Sequence, residues 1–218
     1  MRRWLPSGDV RDLPDYSFGP TAIGFWGVLG FMLVEGAAFV LALGAYFYLL
    51  PNETRWPPTA PPPPLLWSTV LTVVLVLTEL PNTWLDRRAK AQDERAVRIG
   101  LLVMAGLGLL VLALRAFEMQ AMNVRWDATA YGSIVWALLV LHTVHTATDV
   151  YDTGVLTVLA NTKPVDGRKH SDVSDNALYW RFIVWSWVVL YVVIYWTPRW
   201  TRPAQTPPAG PGSRRGWH

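Results

Sequence analysis

TAIGFWGVLGFMLVEGAAFVLALGAYFYLL, residues 21–50, is a thirty-residue run with a single charged side chain, Glu35. A helix needs about 20 apolar residues to cross a hydrocarbon layer about 30 Å thick, so this run is long enough to span a bilayer with residues left over for tilt. Four more apolar runs follow, at about 65–85, 97–122, 130–160 and 177–197, each bounded by prolines, charges or short polar loops. The expected fold is an all-α integral membrane protein, a five-transmembrane-helix bundle over residues 21–198. A polar segment (1–20) precedes it. A Pro/Gly/Arg-rich tail (199–218) follows, with too little apolar content to pack and expected to be mobile.

Composition agrees. Of the 218 residues 52% are hydrophobic and 16% charged, against about 25% charged in soluble domains. The 13 Trp and 8 Tyr suit the aromatic belts of membrane interfaces. With no Cys the chain has no disulfide, thiolate ligand or cysteine nucleophile. A net charge of +3 without a dense basic run gives no footprint for nucleic acid. No Walker-type loop and no glycine fingerprint after a strand is present; the glycines of GVLG and AGLGLL read as helix-packing residues. The first twenty residues mix Arg2, Arg3 and Arg11 with Asp9, Asp12 and Asp15, unlike a cleaved signal peptide, and are expected to stay on the protein. PNETRWPPTAPPPP (51–64) is too rich in proline for regular helix and is expected to run extended.

Basic residues orient the bundle. Eleven Lys and Arg lie in the N-terminal segment and the loops after the second and fourth spans, and six on the other side, four of them in the tail. The positive-inside bias then puts the N-terminus in the cytoplasm and the C-terminus outside.

Ionisable groups inside a span cost a few kcal/mol each and usually face protein. Glu35, beside Gly36, Ala37 and Ala38, sits where another helix can approach closely. It reads equally as a protonatable relay or antenna group and as a hydrogen-bonded structural carboxyl. Arg115 and Glu118, three residues apart, share a helix face and read as an intrahelical pair. Glu79 precedes Pro81, where a polar group can satisfy freed backbone or mark the interface. In HTVHTATDVYD, His142, His145, Asp149 and Asp152 fall within an arc of about 80° and form one polar stripe. Two histidines at i and i+3 can ligate a metal, but carboxylates from other helices, such as Glu35 or Glu118, would be needed to complete a site. The reading preferred is a polar seam in which each imidazole meets a carboxylate of a neighbouring helix, with no metal bound. His170 and His218 read as solvated, and no Ser/His/Asp arrangement is visible.

With these residues in view, the chain resembles subunit III of the haem-copper terminal oxidases, the cytochrome c oxidase type. GFWGVLGFMLVEGAAFVLALGAYFY is similar to the family helix with a central Ser-Glu pair, and places Glu35 on the family's buried carboxylate. LGLLVLALRAFEMQAM resembles the segment ending in Gln-x-x-Glu-aromatic, with Glu118 on its glutamate. YGSIVWALLVLHTVHT resembles the Tyr-Gly-Ser stretch running into Phe-His-Gly-Leu-His, so His142 and His145 match both histidines. NALYWRFIVWSWVVLYVVIYW resembles the closing helix with its Tyr-Trp-His-Phe-Val-Asp pattern. Five spans match the bacterial form that lacks the first two of seven helices, which keeps the N-terminus on the same side. Arg115 stands for the family's Gln, Glu79 for the start of a Ser pair, Thr143 for Gly, Arg181 for His and Val184 for Asp, which marks a divergent branch.

The resemblance implies a non-redox subunit of a respiratory oxidase in the bacterial cytoplasmic (inner) membrane. It would pack directly on catalytic subunit I, with subunit II in the same complex, and support proton uptake during aerobic electron transport. Haem and copper would lie in those partner subunits, with none bound by this chain, and phospholipid would be held in a cleft between helix groups. Glu35 would pair with His142 or His145, and Arg115 and Arg181 would take part in intramembrane pairing. The alternatives are an accessory subunit of a nitric oxide reductase from the same family, an independent metal-binding membrane enzyme, or a transporter, for which broken helices and pseudo-symmetry are not evident.

Overall fold

The computed structural model describes residues 17–53, 55–58, 60–162 and 165–201. Every regular element among these residues is helical, the α-helices being α1 (Ile23–Leu49), α2 (Leu66–Leu77), α3 (Glu79–Lys90), α4 (Glu94–Gln120), α5 (Ala130–Thr162), α6 (Gly167–Tyr191) and α7 (Thr197–Trp200). Five segments are long and apolar enough to cross a membrane: Ile23–Asn52, Leu66–Lys90, Glu94–Gln120, Ala130–Thr162 and Gly167–Trp200. The all-α, five-span expectation is thus met, and the second and fifth spans are each built from more than one helical piece.

The helix ends differ from the apolar runs for a physical reason. Run length reports the thickness of hydrocarbon, whereas a helix stops where its backbone loses partners. The fifth segment begins ten residues earlier than its apolar run, because Asp166 Oδ1 accepts from Lys169 N at 3.0 Å and caps a polar first turn. Asp93 does the same for α4, accepting from Ala96 N at 3.1 Å. The basic residues Arg87, Arg88, Lys90, Arg95, Arg98, Arg168 and Lys169 therefore sit in helical extensions, not in loops. At the other end the helix runs past Pro198 to Trp200. Arg199 and Trp200, read as tail, belong to it, and Arg199 Nη2 donates to Pro63 O at 2.6 Å. The tail from residue 202 and the N-terminal residues 1–16 lie outside the described residues, as does His218.

α4 packs on α5, α3 on α6 and α5 on α6, with α3 and α2 also against α4; α1 leans on α5 and α6. Close approach needs small residues at one crossing in particular. A Cβ at Gly108 would lie 2.6 Å from Val150 Cγ2, so a larger residue would separate α4 from α5. The GVLG glycines do not pack in this way: a Cβ on Gly27 or Gly30 meets nothing within 4 Å. Gly132 instead admits the backbone of Arg125. There Ser133 Oγ donates to Trp126 O at 2.7 Å and Trp136 Nε1 to Val124 O at 2.6 Å, which pins the α4–α5 loop. The proline-rich connection is fixed at the same end, with Trp56 buried and donating to Tyr46 Oη at 2.8 Å.

Two irregularities position the site. Where α2 meets α3, Pro81 in the first turn of α3 supplies no N–H; Thr78, between the two helices, has its Oγ1 donate to Leu75 O at 2.5 Å and accept from Trp180 Nε1 at 2.8 Å. Glu79 does not repair that backbone. It takes Arg181 Nε at 3.4 Å. In the last span, residues Val192–Trp196 form a π turn, a widening that often marks functional positions. Tyr46 Oη donates to Val193 O inside it, at 3.2 Å.

Candidate functional site

Buried residues on α1 are few: Glu35, Phe39 and Tyr46. They lie within about 40° of one another around the helix, so α1 meets the bundle along one stripe, and that stripe carries the carboxylate. Glu35 Oε2 accepts from Tyr179 Oη of α6 at 2.5 Å, and Oε1 lies 3.2 Å from His145 Nε2 of α5. Glu35 therefore meets His145, one of the two imidazoles named as partners. Phe39 sets its ring edgewise on His145, centroids 5.1 Å apart, and reaches toward His142 at 6.2 Å.

His142 does not meet a carboxylate, contrary to the polar-seam expectation. Its Nδ1 is 3.0 Å from Arg115 Nη2 and its Nε2 is 3.1 Å from Ile183 O. A guanidinium only donates, so Nδ1 must accept and the ring proton must sit on Nε2, donating to the carbonyl. The environment fixes one neutral tautomer. Arg115 also pairs with Glu118 and places its guanidinium carbon 3.7 Å from the centre of the Trp187 ring. Glu118 Oε1 in turn accepts from Tyr195 Oη of the π turn at 2.6 Å. Arg115, Glu118 and His142 are buried, none more than 3% exposed.

The stripe on α5 therefore divides four ways. His142 joins the Arg115–Glu118 pair and His145 joins Glu35. Asp149 Oδ1 accepts from Asn176 Nδ2 at 2.9 Å, while Asp149 Oδ2 and His145 Nδ1 have no hydrogen-bond partner among the described residues. Asp152 is exposed and lines a cavity of about 420 Å³ with Asp149. Among the described residues no three His, Asp or Glu side chains come together as a metal site.

Arg181 lies fourteen residues inside α6 and not at its head, and its partner is Glu79. His170, read as solvated, is buried, and its Nδ1 lies 2.8 Å from Asp166 O. The chemistry this arrangement offers is hydrogen bonding and charge compensation within the bilayer. In the Arg115 cluster the charges cancel, since Arg115 and Glu118 are opposite and His142 is neutral. In the Glu35 cluster the carboxyl meets, among the described residues, only an imidazole and a hydroxyl.

Sequence reasoning missed Tyr179, Tyr195, Trp187 and Asn176. Tyr179 and Tyr195 each stand two residues from an end of the 177–197 apolar run, where an interface tyrosine is expected, so nothing in the sequence marks them as buried partners.

Residues 21–200 match the family model described as cytochrome c oxidase subunit III. The chain is similar to the cytochrome c oxidase subunit 3 of Thermostichus vulcanus, 22% identical over 175 residues that cover 78% of this chain and 85% of that protein. The Synechocystis sp. protein of the same name is 22% identical over 174 residues, 78% of this chain and 74% of that one. That of Spodoptera frugiperda is 23% identical over 143 residues, 65% of this chain and 97% of that one.

Proposed function

Since the chain belongs to the cytochrome c oxidase subunit III family, we propose that it is the non-redox membrane subunit of a respiratory haem-copper oxidase. In this reading it packs on catalytic subunit I beside subunit II, supports proton uptake into subunit I and holds phospholipid. Haem and copper are carried by those partners. The membrane is the bacterial cytoplasmic one, with the N-terminus inside, as the distribution of Lys and Arg supports. The observation that carries the reading is the match of the family model over the whole helical bundle. Polar side chains of Glu35, Glu118, His142 and His145 meet other protein groups across helices, as suits a structural subunit.

An accessory role beside a nitric oxide reductase is the second reading, favoured by Arg115 and Arg181 where the family resemblance has Gln and His. The names of the similar proteins favour oxygen. Purification through a tag on this chain tests both. Co-purifying subunits with a haem spectrum and oxygen consumption support the proposal; a complex that turns over nitric oxide alone supports the second reading. Recovery of this chain with stoichiometric metal and no haem-bearing partner overturns both.

A further inference from the structure

The cavity between α1, α5 and α6 holds about 420 Å³, within the range of small-molecule sites. Asp149, Asp152, Asp172 and Asp175 stand in its wall, and no Lys, Arg or His does. A group of acids is not in itself a site, but Asp149 adds a separate observation. It is 1% exposed, and Oδ2 has no hydrogen-bond partner among the described residues. Asp152 stands beside it in the same wall, and no base faces it there. A buried carboxyl oxygen so placed has no donor among the described residues, and buried polar atoms are as a rule hydrogen-bonded.

The rest of the wall says what kind of cation would supply that donor. Val28, Phe31, Leu156 and the ring of Tyr179 make much of the surface apolar and aromatic. No three carboxylates or imidazoles of the described residues come close enough together to chelate a metal ion. A cation with an apolar body fits both facts, and an ammonium beside aromatic rings gains a further attraction. We propose that this cavity binds an amphiphilic primary ammonium, its NH3⁺ donating to Asp149 Oδ2 and its apolar body lying along Val28, Phe31 and Leu156. The same chemistry is offered by a soluble alkylamine and by the amine headgroup of a lipid.

The test titrates hexylammonium chloride into the full chain, with the subunits that co-purify, in nanodiscs of phosphatidylglycerol only, and reads heat. One saturable site is expected, with hexanol failing to bind. Asp149→Asn should weaken hexylammonium at least tenfold. Gly27→Leu is a second variant that touches no carboxylate: Gly27 lines the cavity and a Cβ there meets nothing within 4 Å. Its side chain should fill the cavity and remove binding while helix content by circular dichroism is unchanged, and it decides the matter if Asp149→Asn fails to fold. Replacing half the lipid by phosphatidylethanolamine separates the sources: competition supports the headgroup, and unchanged affinity supports a soluble amine. The proposal is overturned by no saturable binding to the unaltered protein, by equal affinity in Gly27→Leu, or by hexanol binding as tightly as the ammonium.

Discussion

The Arg115–Glu118 cluster and the Glu35–His145 cluster share a plan. Each has a glutamate, a histidine from α5 and a tyrosine from the last span whose hydroxyl donates to the carboxylate. They differ in their cation. Arg115 is permanently charged, so the first cluster is an ion pair closed on every side, with His142 locked in one tautomer by the guanidinium and Ile183 O. The second has only His145, whose Nδ1 lacks a partner among the described residues, and Tyr179 of this cluster borders the open cavity. The difference teaches that burial of two glutamates need not mean equal rigidity: one is held by a permanent charge, the other only by an imidazole and a hydroxyl.

Breaking the first cluster should cost most. Arg115→Leu leaves Glu118 buried without its counter-charge, a loss of about 3–5 kcal/mol by analogy with broken buried pairs. Thermal unfolding in detergent should show a much lower midpoint, and the double variant Arg115→Leu with Glu118→Leu should recover part of it. A midpoint within experimental error of the parent would mean that Glu118 is neutral and the pair is not ionic.

The tyrosines compare the clusters directly. Tyr195→Phe removes a hydrogen bond to a charged acceptor, worth about 1.5–3 kcal/mol. Tyr179→Phe removes the matching bond from Glu35, but solvent or ligand in the adjoining cavity can replace the donor. Its effect on the same unfolding midpoint should be smaller. If Tyr179→Phe proves the more damaging, the Glu35 cluster is as closed as the other and the distinction fails.

How these clusters were legible depends on the element that supplies each residue. The five spans could be read because about twenty apolar residues leave little alternative in a bilayer, and Glu35, Arg115, Glu118 and the two histidines stood out as charges where charge is rare. Helical geometry put His142, His145 and Asp149 on one face, yet it could not divide that face among α1, α4 and α6, because partners depend on how helices cross. Tyr179 and Tyr195 are sixteen residues apart, about 160° around an ideal helix, so no periodicity marks them as playing the same part. The π turn that carries Tyr195 has no sequence signature. His170 was misread because hydropathy ends where the hydrocarbon ends, while the cap at Asp166 carries the helix ten residues further.

The smallest effect is expected at the third ion pair, Arg181 with Glu79, where burial is intermediate between a core pair and a surface one. Its side chains are 38% and 18% exposed, and the nitrogen–oxygen distance is 3.4 Å. Arg181 borders a small pocket with Asp86 and Lys90, which are paired with each other at 2.8 Å, so the environment is already charged and compensated. Exposed pairs contribute about 0–1 kcal/mol, so Arg181→Gln should lower stability by no more than that and shift the unfolding midpoint the least of these variants. Salt sharpens the test: a pair reached by water loses its difference from the variant as ionic strength rises, since screening shortens to about 3 Å at 1 M. A large loss that salt leaves unchanged would instead place Arg181 with Arg115, as a charge buried in the bilayer.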